Sequence, residues 1–100
     1  MNISFEKPYY IFTKCKNIES KDAYNKFLNW VQGEFDLYQM DEFEGVTVYY
    51  PNGLFTIKMV NKKNNMFYTE IYAKCKSKKV GLETCDKIEL LYNHLIKSLS

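Results

Sequence analysis

From Val46 to Lys76 the chain alternates apolar and polar side chains through three consecutive runs, and the breaks between them consist of turn residues. VTVYY and LFTIKMV flank Pro51, Asn52 and Gly53, where proline presets φ and Asn-Gly tolerates the left-handed backbone of a tight connection. NKKNN, Asn61 to Asn65, separates the second run from the third, MFYTEIYAKCK. A period of two sends successive side chains to opposite faces of a strand. Three such runs in succession therefore specify an antiparallel meander with one buried face and one wet face.

The sequence also says which side chains share a face. On the third run Phe67, Thr69, Ile71, Ala73 and Cys75 point one way, and Tyr68, Glu70, Tyr72, Lys74 and Lys76 the other. The apolar set is expected inward, with Phe55, Ile57 and Met59 beside it on the second run. Thr56 and Lys58, with Thr47 and Tyr49 on the first run, then belong to the outer face. That face is rich in Tyr and Lys.

Helical periodicity flanks the meander. Ser20 is placed to cap a helix with Asp22 in its first turn and Gly33 at its end, and Tyr24, Phe27, Leu28 and Val31 repeat at three and four with Ala23 and Trp30 beside them. Leu82, Cys85, Ile88, Tyr92, Leu95 and Leu99 repeat likewise, with Leu91 and Ile96 adjacent, and predict a second helix reaching almost to the last residue. Tyr9 to Lys16, YYIFTKCK, has strand-forming residues after a proline suited to a strand start. Glu34 to Gly45 has no clean period and reads either as a short strand or as the end of the helix. The expected fold is α+β: a single compact domain over residues 1–100, in the order β-α-β-β-β-α. Its antiparallel sheet of three or four strands has both helices packed on one face.

Composition bounds the function. With 46% apolar and 17% aromatic residues the chain can bury a core without staples. Every basic residue is Lys, as an A+T-rich gene would produce. The absence of Arg removes the two-pronged donor that base-specific DNA readers use. The net charge of +2 offers no global field for nucleic acid or membrane. Its distribution is uneven: Glu34, Asp36, Asp41, Glu42 and Glu44 form an acidic block, and Lys dominates from Lys58 to Lys79. MNISFEKPYYIF holds no apolar run fit for a signal peptide or membrane span. The three cysteines, Cys15, Cys75 and Cys85, lack paired metal-ligand spacing, so they read as free, small core residues in a cytoplasmic protein.

No cofactor, metal or catalytic constellation is expected. His94 stands alone, Asp41, Glu42 and Glu44 lack calcium-loop spacing, and the four glycines read as isolated punctuation rather than a phosphate loop. The expectation is a non-catalytic protein-binding module, an inhibitor or accessory factor suited to a phage or other mobile element. It would dock another protein through Tyr49, Lys58, Tyr68, Tyr72 and Lys74, because tyrosine brings large contact area at low entropic cost. Asp41, Glu42, Phe43 and Glu44 form a candidate acidic docking patch with an aromatic in its middle. The open aromatic face could instead pair with its own copy as a homodimer.

A nucleic-acid-binding module is the alternative. Lys76, Lys78 and Lys79 lie just before the last helix, where exposed N–H groups favour an anion. The run Ser77, Lys78, Lys79 before that helix, with the element order after Ser20, resembles the double-stranded-RNA-binding domain. That resemblance implies phosphate contacts by these lysines. The chain departs from that family in having a strand before its first helix and no Gly-Pro-x-His loop.

Overall fold

The computed structural model describes residues 1–62 and 66–99. Strands β1 (Asn2–Glu6) and β2 (Tyr9–Ile18) come first, then helix α1 (Lys21–Glu34). Strands β3 (Gln39–Asp41), β4 (Val46–Tyr50), β5 (Gly53–Lys62) and β6 (Met66–Cys75) follow, and helix α2 (Lys78–Leu99) is last. All pairings are antiparallel, in the spatial order β1-β2-β6-β5-β4-β3. The expected meander is β4-β5-β6. The β1-β2 hairpin joins it on the free side of β6, and β3 adds an edge beside β4. The fold is α+β as expected, but the sheet has six strands rather than three or four, and the element order is β-β-α-β-β-β-β-α. The connection expected at Asn61–Asn65 lies partly outside the described residues.

The topology explains why the helices share a side. The chain leaves β2 near one edge of the sheet and re-enters at β3 on the other, so α1 crosses one face. In each long strand only one alternating set is sealed. Phe12 and Ile18, Val46 and Val48, Phe55 and Ile57, and Ile71 and Ala73 join Phe27 and Val31 of α1 and Ile88 and Leu95 of α2 in one cluster. Met59, Phe67, Leu28, Trp30, Leu82 and Leu91 pack partly buried against it. Ile96, expected near the stripe of α2, is 41% exposed.

Both helices start on serine. Ser20 Oγ accepts from Ala23 N–H at 3.1 Å, and Ser77 Oγ from Val80 N–H at 3.2 Å. Lys78 and Lys79 therefore sit inside the first turn of α2 rather than before it. Gly81 is no punctuation either. It lies within α2 against the Phe12 ring of β2, where an added Cβ would fall 2.3 Å from Phe12 Cε2. The ambiguous segment resolves into the end of α1, a turn, the three residues of β3 and a second turn in which Glu44 and Gly45 take positive φ, 53° and 118°.

Candidate functional site

The strand registers fix how the outer face is laid out. One row crosses the sheet through Thr47, Thr56, Tyr72, Thr13 and Asn2, and the next through Tyr49, Leu54, Lys74, Ile11 and Ser4. On the other side of the Tyr72 row lie Lys58, Glu70 and Cys15, and beyond them Val60, Tyr68 and Asn17. Tyr49, Tyr68 and Tyr72 thus share the face opposite both helices, with Lys58 and Lys74 among them. At about 3.4 Å per residue and 4.8 Å per strand, Tyr72 stands about 14 Å from Tyr68 and about 12 Å from Tyr49. The three form an open triangle rather than a cluster.

Local contacts hold this face in shape. Thr47 and Thr56 hydroxyls meet at 3.1 Å across β4 and β5. Lys58 and Glu70 approach at 3.9 Å with both side chains well exposed, so their pairing is weak. A shallow groove of about 200 Å³ runs between Thr56, Lys58, Glu70 and Tyr72. Tyr49 is 42% exposed and offers an aromatic surface directly.

The sequence reading misses one member of the surface. Tyr9 lies on the same face of β2, and Lys74 and Lys76 place their ammonium groups 4.3 and 5.8 Å from its ring centroid. The available signal was the spacing Tyr9, Ile11, Thr13, Cys15, Asn17. It is obscured because the opposite set contains Lys14 and Lys16, which lie on the helix side and both hold Glu89 of α2, Lys16 at 3.0 Å. Those two hydrogen bonds keep the Glu89 carboxyl below its ordinary pKa. The same register puts Cys15 on the outer face, where it is exposed. It is therefore not the core residue its type suggests.

Cys75 and Cys85 are buried, and burial pushes the Cys85 thiol up to about 11. His94 is exposed on α2. Among the described residues no group of three or more His, Cys, Asp or Glu side chains is placed to hold a metal ion. Also among them, no helix is long and apolar enough to cross a membrane.

The lysines proposed for anions are exposed at the junction of β6 and α2. Two of the helix's first amides are already occupied there, Val80 N–H by Ser77 Oγ and Gly81 N–H by the Ser77 carbonyl at 3.0 Å. An anion would meet lysine side chains more than backbone donors. The acidic patch forms one turn. Asp41 Oδ1 accepts from Phe43 N–H at 2.9 Å, Glu42 accepts from Gln32, and Phe43 projects from the tip 79% exposed. A separate cleft of about 450 Å³ lies on the helix side between the α1–β3 turn, the β4–β5 turn and α2, walled by Phe35, Tyr38, Tyr50 and Val80.

No protein-family model matches the chain, and no curated protein is similar enough to it to count as a match.

Proposed function

We propose that this protein is a non-catalytic binding module that occupies a surface of another protein through the open face of its sheet, in the manner of an inhibitor or accessory factor. One observation carries the reading: Tyr9, Tyr49, Tyr68 and Tyr72 all stand on the uncovered side of a six-stranded sheet whose other side is sealed by two helices. Rigid tyrosines lose little entropy on binding, and the sheet fixes their spacing beforehand. Lysines between them supply steering rather than most of the affinity.

The test uses immobilised protein and nuclease-treated lysate, with wild type compared against a Tyr49→Ala, Tyr68→Ala, Tyr72→Ala triple variant. A partner held at stoichiometric level by wild type and lost by the variant is expected. At least one of the tyrosines should cost about 2 kcal/mol, or ~30-fold in affinity. Capture of no stoichiometric partner, or equal capture by both proteins, overturns the reading.

A nucleic-acid reading has its own support, since Lys74 and Lys76 flank the Tyr9 ring and Lys78 and Lys79 follow at the same end of β6. A stacking ring among lysines is how single strands are held without sequence preference. Anisotropy with duplex RNA, duplex DNA and single strands at two salt concentrations should then show affinity falling steeply with salt. Absence of binding at low salt ends that reading.

A further inference from the structure

The two edges of the sheet are not alike. β3 has only three residues, ends on Asp41 and runs straight into a turn, the features by which proteins blunt an edge. β1 has five residues, all exposed, and Asn2–Glu6 contains neither proline nor lysine. Along it Ile3 and Phe5, with Met1 just before, line up on the helix side, 44%, 55% and 52% exposed. Met1 borders a small cavity shared with Cys85 and Glu89 of α2, and Ile3 and Phe5 remain exposed. The Phe5 ring lies 4.8 Å from that of Tyr10, so the stripe is continuous with the margin of the core.

We infer that β1 pairs antiparallel with β1 of a second copy of this chain, about a twofold axis through Ser4, joining two sheets into one of twelve strands. The strand is complementary to itself in this register. Ile3 of one copy lies opposite Phe5 of the other on the helix side, and Ser4 faces Ser4 on the outer side. Glu6, the sole charge in the strand, faces Asn2 and not another carboxylate. The blunted β3 edge stops the pairing from propagating into a filament. Because the axis is perpendicular to the sheet, both tyrosine faces look the same way and remain open, unlike in a face-to-face dimer. An interface this narrow falls below the about 1,200 Å² of lasting complexes, so pairing should depend on protein concentration.

Sedimentation equilibrium from micromolar to millimolar protein tests this, and its outcome does not depend on whether the tyrosine face has a partner. The mass should double across the series. Ile3→Lys should remain a single chain at every concentration with unchanged circular dichroism, since a charge on that stripe opposes pairing. Mild oxidation of Ser4→Cys should give a covalent dimer well above the wild-type background from exposed Cys15, and Asn2→Cys, which faces Glu6, should not. A single-chain mass throughout, a dimer that survives Ile3→Lys, or equal cross-linking of Asn2→Cys and Ser4→Cys overturns the inference. So does a dimer abolished only by the triple tyrosine variant.

Discussion

Thr69 is fully sealed on the helix side of β6, between Lys16 of β2 and Met59 of β5, and its hydroxyl has no hydrogen-bond partner among the described residues. A buried hydroxyl without a partner costs about 1–3 kcal/mol of desolvation. Valine has nearly the same shape and a higher strand preference. Thr69→Val should therefore raise the urea midpoint, by about 1 kcal/mol of stability, without changing the slope of the transition. A lower midpoint would mean that the hydroxyl is satisfied after all. Tyr50, on the same side of the sheet, differs: its hydroxyl is buried beside the Thr84 hydroxyl and the Cys75 thiol, and burial raises its pKa. Its ring packs among Phe55 and Tyr38, so truncating it would remove aromatic contacts as well as the buried hydroxyl.

Helix α2 shows how an element can defy its own propensities. Alanine is better than glycine inside a helix by about 1 kcal/mol, yet Gly81→Ala should destabilise this protein by about 1–3 kcal/mol in thermal or urea unfolding. The reason is the Phe12 ring, only 1% exposed, which has no room to move from a new methyl 2.3 Å away. A gain in stability would show that α2 is free to lift off β2. Both helices and the β4–β6 meander are legible in the sequence because each keeps one period long enough to reveal its buried side. The outer positions of Tyr49, Tyr68 and Tyr72 follow from that alternation. β1 is not legible, because NISFE offers only two apolar side chains, too few to establish a period. β3, at three residues, is too short to establish one. The facing of β2 is hidden because Lys14 and Lys16 stand where apolar residues are expected, their charge met by a helix far away in sequence. Tyr9 is missed, and Cys15 misread as a core residue, for that reason.

At the scale of the molecule, α2 is fastened to β2 by polar contacts as well as by packing. Lys14 and Lys16 hold Glu89, and the Tyr92 hydroxyl donates to the Asn17 carbonyl. Because the Glu89 carboxyl titrates lower when folded than when unfolded, it adds stability above the ordinary glutamate range near pH 4.3, and that contribution is lost as pH falls through its folded value. Glu89→Gln should thus show a flatter decline in stability between neutral and acid pH, with a difference on the order of 0.5 kcal/mol at neutral pH, since these side chains remain partly in water. Parallel curves for the two proteins would mean that the lysines exert no hold. The strand order has another consequence. β6, the last strand made, lies between β2 and β5. Until it emerges from the ribosome, the early hairpin and the middle of the protein have no common neighbour, and the aromatic side chains of both halves are left exposed. Assembly of the sheet must wait for β6, which makes this a molecule that closes around a late-made strand and in the meantime depends on whatever shelters half-made chains.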